Sequence, residues 1–90
     1  MFDINSIMNE FLKSESTKLS DIVEHKGNHY FVDSCYTLDH GYETMIFPCD
    51  EKGNVTNWGE LYCEIYDTET EMQDAHKAIV ADIGKFLNID

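Results

Sequence analysis

The 90-residue chain carries 18 Asp and Glu against 6 Lys and Arg, all six of them lysines, for a formal net charge of −12. A surface this negative repels nucleic acid and anionic membranes, because binding either one requires cations that neutralise phosphates. With 42% hydrophobic residues the chain is expected to fold as a single domain over residues 1–90, around one modest core.

The sequence indicates neither a membrane anchor nor a disulfide framework. No apolar stretch reaches the roughly 20 residues of a membrane-spanning helix, and the N-terminus lacks a basic region followed by an apolar run and a cleavage site. The cysteines Cys35, Cys49 and Cys63 are odd in number and lack CxxC spacing, which is typical of reduced thiols. We therefore expect a cytoplasmic protein.

The first predicted element is a short helix from about Asp3 to Lys13. Apolar residues recur there at spacings of three and four, which places them along one side of a helix. They are Phe2, Ile4, Ile7, Met8, Phe11 and Leu12. The next run, Ser14–Lys18, breaks this pattern and is predicted to be a linker or turn.

Two alternatives fit the following segment. Leu19–Val23 can form one more helical turn, or Asp21–His25 can be a strand that folds back onto His29–Asp33. Gly27-Asn28 between β-branched and aromatic runs favours the hairpin. Residues 34–41 then end in a turn, so a new strand is predicted to begin after them.

A second predicted hairpin joins Tyr42–Pro48 to Trp58–Tyr66 through a charged turn that contains Gly53-Asn54. Pro48 cannot donate a backbone hydrogen bond, so the first of these strands should stop there. The second strand alternates between two sets of side chains, for which we predict a dry and a wet face. The dry set is Leu61, Cys63 and Ile65, and the wet set is Tyr62, Glu64 and Tyr66.

A long helix is predicted to close the chain. Thr68 and Glu71 have the spacing of a capping box, and the helix is expected to run to Asn88. Its apolar face carries Met72, Ala75, Ile79, Ile83, Phe86 and Leu87. The predicted fold class is therefore α+β, with a short N-terminal helix, a three- to four-stranded antiparallel sheet and a long C-terminal helix packed on one face.

Cysteine and histidine side chains raise the alternative of a metal-dependent or thiol-dependent site built on Cys35, His40 and Cys49. A Cys beside a His is the smallest activated thiol, and both residues are zinc ligands. Structural zinc sites, however, usually take ligands in pairs two to four residues apart, and among Cys35, His40 and Cys49 the nearest approach is that of Cys35 to His40. We predict no catalytic residue, no metal and no cofactor.

Acidic residues are concentrated between Lys52 and Lys77, where the sequence contains six acids and no lysine or arginine. Tyrosines in the predicted last strand lie beside them. Exposed rings anchor protein partners and carboxylates steer a basic surface toward them. The predicted partner-binding residues are therefore Glu60, Tyr62, Glu64, Tyr66, Asp67, Glu69, Glu71 and Asp74.

Several short stretches of the chain carry a resemblance to a known group. They are Tyr42–Phe47, Gly53–Trp58, Leu61–Tyr66, Thr68–Glu71 and Ala75-His76, together with Asp33–Cys35 and Asp39–Gly41. Over about residues 20–82 the sequence resembles small uncharacterised proteins found in phages and prophages of Gram-positive bacteria. The resemblance implies a phage origin and the host cytoplasm, and it implies no activity or catalytic residue.

In size, charge sign and mixed helix and strand content the chain is also similar to the acidic anti-CRISPR proteins, which imitate the phosphate charge of DNA. This similarity concerns general features and no specific sequence motif. We therefore expect a binding protein and not an enzyme, directed at the basic surface of a host nucleic-acid-binding or defence protein. The alternatives are the Cys/His site above and a structural or assembly protein that acts as a homodimer or larger homo-oligomer, through a sheet edge or exposed aromatic residues such as Trp58.

Overall fold

The computed structural model describes residues 4–89, with the side chains of residues 4–7 and 9–11 left aside. Strands cluster in the middle of the chain and helices lie at both ends, which is an α+β arrangement. The elements are α1 (Ile4–Thr17), β1 (Leu19–His25), β2 (Asn28–Thr37), β3 (Gly41–Cys49), β4 (Tyr62–Tyr66), α2 (Glu69–Ala81) and α3 (Ile83–Leu87).

The strands form one four-stranded antiparallel sheet in the order β1-β2-β3-β4. Asp21 pairs with Val32, Val32 with Ile46 and Ile46 with Tyr62. Side chains of these paired residues point to the same face of the sheet, because facing residues share a side of the pleat. The prediction of an α+β fold with a three- to four-stranded antiparallel sheet is confirmed.

The first hairpin is confirmed as well, and it excludes the helical alternative for Leu19–Val23. Lys26 and Gly27 both have positive φ, at 52° and 85°. Positive φ at two central residues is the geometry of the two-residue turn that matches the twist of antiparallel strands. Gly27 N–H also donates to Glu24 Oε1 at 2.9 Å, so local chemistry fixes the register of β1 against β2.

The core lies between α2 and one face of the sheet, which we call the inner face. Val32 and Ile46 are completely buried there, and Ile79 of α2 packs against them with Ile83 of α3. The opposite side is the outer face, and no helix of the described residues is seen to cover its Ile22 or Ile65. Helices therefore pack on the inner face, whereas the outer face buries Phe47 beneath Trp58 and leaves Ile22 and Ile65 exposed.

The predicted faces of β4 are reversed in the structure. Leu61 and Ile65, expected to be dry, are both 51% exposed on the outer face. Tyr62, expected to be wet, meets the ring of Phe86 edge-on at 6.0 Å on the inner face. Alternation tells which residues share a face but not which face is inside. The pairing of Tyr62 with the buried Ile46 decides this.

The predicted long C-terminal helix is also wrong, because it is divided at Asp82. Its backbone leaves the helical region, with φ −153° and ψ 67°, while its N–H still bonds to the carbonyls of Ala78 and Ile79. Beyond this break Ile83 and Gly84 are buried. Apolar spacing continues without a gap through the break, so periodicity alone could not reveal it.

The start of α2 was predicted correctly, whereas the end of α1 was not. Thr68 Oγ1 accepts a hydrogen bond from Glu71 N–H at 3.1 Å, as an N-cap does. Helix α1 does not end at Lys13 but extends to Thr17, through most of the predicted linker. Thr17 Oγ1 donates to Lys13 O at 2.8 Å. Asp3, the predicted start, lies outside the described residues, and Met8 and Leu12 of the predicted apolar side are exposed.

A loop of residues 50–61 replaces the first part of the predicted last strand, which begins at Tyr62 and not at Trp58. Asp50 organises this loop by accepting hydrogen bonds from Lys52 N–H and from the backbone and side chain of Asn54. The Asn54 hydrogen bonds are the main cause that lowers the pKa of Asp50. Trp58 stands edge-on against Phe47, with ring centroids 5.2 Å apart. Strand β3 itself continues one residue past Pro48, to Cys49.

Candidate functional site

Six carboxylates lie along the chain from the end of the loop, through β4, to the first half of α2, and we call them the acidic surface. Two residues, Asp67 and Thr68, connect the end of β4 to the first residue of α2. Five of the six side chains are exposed and Glu69 is partly buried. None of them forms an ion pair with a lysine among the described residues. The acidic surface consists of Glu60, Glu64, Asp67, Glu69, Glu71 and Asp74.

Part of this acidity stabilises the helix. Glu69 and Glu71 lie in the first turn of α2, where a negative charge interacts favourably with the helix dipole, by a few tenths of a kcal/mol to about 1 kcal/mol. Glu69 Oε1 also accepts a hydrogen bond from Gln73 Nε2 at 3.4 Å. Glu64 and Asp74 have no comparable internal role, so their charges are the ones most available to a partner.

Tyr62 and Tyr66 do not project from the acidic surface as the predicted anchors should. Both are partly buried on the inner face. Burial is the main cause that raises the pKa of Tyr62 to about 12, and it also raises the pKa of Tyr66. Tyr66 Oη is buried near the hydroxyls of Tyr62 and Thr44 without a well-formed hydrogen bond to either. These rings therefore support β4 from inside.

A buried polar network crosses the inner face and was not predicted. Ser34 Oγ lies 2.6 Å from Thr44 Oγ1 and 2.6 Å from His76 Nδ1. His76 Nε2 lies 2.7 Å from Asp21 Oδ2. Every group is satisfied when Thr44 donates to Ser34, Ser34 donates to Nδ1 of a neutral His76, and Nε2–H donates to Asp21. The network thus joins α2 to β1, β2 and β3.

Serine, histidine and aspartate in one chain of hydrogen bonds invite comparison with a hydrolase triad. In such a triad the serine hydroxyl must face the substrate. Here Ser34 and Thr44 have no exposed surface and His76 is 3% exposed. Only the Asp21 carboxylate reaches solvent, with 52% of its side chain exposed. The arrangement acts as a structural clamp, because no reactant can approach Ser34 Oγ in this fold.

One sequence signal could have revealed this network. Ser34 and Thr44 interrupt the apolar side of two neighbouring strands, and His76 occupies a position on the buried side of α2 between Met72 and Ile79. Polar groups at core positions need hydrogen-bond partners. Because Ser34, Thr44 and His76 all face the core between the sheet and α2, they are expected to form hydrogen bonds with one another.

The cysteine and histidine residues of the alternative site are not brought together. Cys35 pairs with Glu43 near one end of β3, and Cys49 pairs with His29 at the other end. Six residue steps along a strand separate these positions by about 20 Å. His40 Nδ1 instead contacts Glu43 Oε2 at 3.0 Å. Among the described residues, no group of three or more Cys, His, Asp or Glu side chains is arranged to hold a metal ion.

The cysteines also lack the environment of an activated thiol. Burial is the main cause that raises the pKa of Cys35, and nearby Asp33 and Glu43 raise it further. Burial likewise raises the pKa of Cys49 and of Cys63. A thiol is nucleophilic as the thiolate, and these surroundings favour the protonated form. The hypothesis of a thiol-dependent site is therefore disfavoured.

Exposed apolar side chains lie near the acidic surface on the other side of β4. Leu61 and Ile65 are about half exposed there, and Trp58 of the loop is 72% exposed, whereas the exposed Ile22 belongs to β1 at the opposite edge of the sheet. Cys63 is exposed between Leu61 and Ile65. Apolar side chains that remain in water at this density are typical of contact surfaces.

The described residues thus present a buried clamp, an acidic surface and an exposed apolar strip along β4. None of the described helices is both long enough and apolar enough to cross a membrane. Comparisons of the chain with protein-family models, with curated proteins and with solved structures find no match.

Proposed function

We propose that this chain is a binding protein, encoded by a phage or prophage, that attaches its acidic surface to a basic protein surface in the host cytoplasm. Its target is a host nucleic-acid-binding or defence protein, which it inhibits by occupying a site that otherwise holds phosphate groups. The protein acts by charge mimicry and carries out no reaction of its own.

The observation that carries this proposal is the set of exposed carboxylates without lysine partners at the start of α2 and along β4. Exposed charges of one sign raise the rate of encounter with a surface of the opposite sign. The whole chain supports the same preference, because its formal net charge is −12 and it has no arginine. A basic groove that binds phosphate groups is the protein surface whose charge is most complementary to these carboxylates.

Charge reversal with a matched control tests the proposal. One variant combines Glu60→Lys, Glu64→Lys and Asp74→Lys, which avoids the first turn of α2 and so spares the helix dipole. The control combines Glu15→Lys, Asp39→Lys and Glu51→Lys, which are exposed elsewhere. Either variant changes the formal net charge from −12 to −6, since each of three residues gains two charges. Any difference in partner binding between the two variants therefore reflects the position of the substituted charges and not the net charge.

Wild-type protein and both variants serve as bait in a lysate of a Gram-positive host, at 0.1 M and 1 M salt, where charges are screened over about 10 Å and about 3 Å. We expect a basic protein to be retained by wild type and control at low salt and released at high salt. The acidic-surface variant should not retain it. A partner held equally by both variants, or unaffected by salt, would contradict the proposal, as would the failure of every bait.

A further inference from the structure

Within residues 4–89, strand β4 pairs only with β3 and is therefore one of the two edges of the sheet. Alternate backbone N–H and C=O groups of an edge strand face outward and can pair with another strand. The other edge, β1, begins directly after Lys18 and ends directly before Lys26, and lysines at an edge discourage such pairing. No lysine or arginine lies between Lys52 and Lys77, so the charges in and beside β4 are all acidic; they oppose an acidic strand and favour a basic one.

The side chains of β4 divide into two chemically distinct rows. Leu61, Cys63 and Ile65 form an exposed, mainly apolar row on the outer face. Glu64 is exposed on the inner face, the face on which α2 packs. Glu60 and Asp67 flank the strand at its two ends, and both are exposed. A strand laid along this edge would meet apolar groups on the outer side and, on the inner side, Glu64 between Tyr62 and Tyr66.

We propose that the basic partner binds by adding an extended segment to the free edge of β4, with Lys or Arg alternating with apolar residues. Its apolar side chains cover Leu61 and Ile65 on the outer face, and its cations pair with Glu64 and with the acids at the strand ends. Backbone hydrogen bonds supply affinity in this mode, and alternate side chains supply specificity. This inference rests on the proposed function, and it adds the form that the partner takes.

The length of β4 sets the length of the segment. Five residues at about 3.4 Å each extend over about 17 Å. A partner segment therefore needs five to seven residues, of which two or three are cationic. Cross-strand pairs of opposite charge stabilise a sheet, and pairs of like charge destabilise it.

This charge rule argues against a second copy of the chain paired in full register at the edge. Glu64 is the middle residue of the strand Tyr62–Tyr66. In a symmetric antiparallel pair of β4 strands in full register, Glu64 would stand directly opposite its own copy. Like charges in facing positions are unfavourable, and the net charge of −12 on each copy adds to the repulsion. A basic segment reverses both effects.

Three synthetic peptides test the edge pairing on the full chain. The first is a nonapeptide that alternates lysine and valine. The second has the same composition with lysines and valines in separate blocks. The third is the alternating peptide with every internal backbone nitrogen methylated, so that it keeps its side chains and charge and loses its hydrogen-bond donors. Amide hydrogen exchange measured by NMR reports on each strand separately.

We expect the alternating peptide to slow exchange at the edge-facing amides of Tyr62–Tyr66 by about tenfold or more, without slowing exchange in β1. The block and methylated peptides should not do so. Glu64→Lys should weaken binding of the alternating peptide by roughly tenfold, whereas Glu51→Lys, with the same change of net charge, should have little effect.

Equal binding of the methylated peptide would overturn the edge pairing and leave the proposed charge mimicry standing. Absence of any protection of β4 at millimolar peptide would also overturn it, while the lysate experiment decides the proposed function separately. Protection of β4 that depends on protein concentration without peptide would assign the edge to a second copy, and the proposal would fail.

Discussion

Replacing His76 with alanine should reveal how much the buried polar network stabilises the fold. His76 is 3% exposed, and its two ring nitrogens bond to Ser34 and Asp21. Two hydrogen bonds contribute about 1 kcal/mol each, and the space left by the ring adds about 1 kcal/mol or more. The free energy of unfolding should therefore fall by about 3 kcal/mol.

Two features keep this loss from being larger. Ser34 keeps its hydrogen bond to Thr44, so its hydroxyl is not left without a partner. The Asp21 carboxylate is already 52% exposed, so water can solvate it when His76 is gone. Since small domains are stable by about 5–15 kcal/mol, the variant should still fold but unfold at a lower urea concentration.

Urea unfolding followed by far-ultraviolet circular dichroism measures this change. Tryptophan fluorescence is a poorer probe, because Trp58 is 72% exposed in the loop. Lys77→Ala is the control, since Lys77 is the next residue of α2 and is exposed, and its effect should stay within about 0.5 kcal/mol. His76→Leu separates lost volume from lost hydrogen bonds. A loss below about 1 kcal/mol for His76→Ala would refute the stabilising role of the network.

Three further predictions follow from local features. In the folded protein the pKa of Tyr62 is raised from 10.0 to about 12, so folding favours the neutral phenol. The resulting contribution to the free energy of unfolding is complete below pH 10 and is lost between about pH 10 and 12. In unfolding curves over this pH range Tyr62→Phe should reduce the decline, and an unchanged slope would contradict the assignment. Thr68→Ala removes the N-cap of α2 and should lower the free energy of unfolding by about 1 kcal/mol in urea titrations, whereas Thr70→Ala, in the exposed first turn, should have a smaller effect. Gly53→Ala should lower the free energy of unfolding by about 1 kcal/mol or more. The φ angle at this position is +88°, and the new Cβ would lie 2.5 Å from Ile22 Cδ1 unless that side chain moves. A thermal midpoint equal to that of the wild type would disprove this.

Features with short-range causes could be predicted from the sequence. Gly27 permits the positive φ that its tight turn needs, and Thr68 supplies the N-cap hydrogen bond three residues along the chain. Both effects involve neighbours in sequence, so composition and spacing reveal them. The exposure of acids such as Glu64 and Asp74 has an equally simple origin, because carboxylates without partners are costly to bury.

Features that depend on packing between distant elements could not be predicted in the same way. The inner position of Tyr62 depends on which side of β3 is covered by α2, and the alternating pattern is the same for either choice. The break at Asp82 leaves the apolar spacing of α2 and α3 intact. The bond between Ser34 and His76 joins residues 42 positions apart, so the polar interruptions of the apolar faces indicate only that partners are needed and do not identify them.

The order of the strands in the sheet has a consequence for the kinetics of folding. Each strand pairs with the next one along the chain, so the sheet can grow by successive hairpins that close loops of 2, 3 and 12 residues. Docking of α2 through His76 and Asp21 joins residues 55 positions apart, and we expect it to follow sheet formation. Substitution of His76 should then accelerate unfolding while leaving the refolding rate almost unchanged.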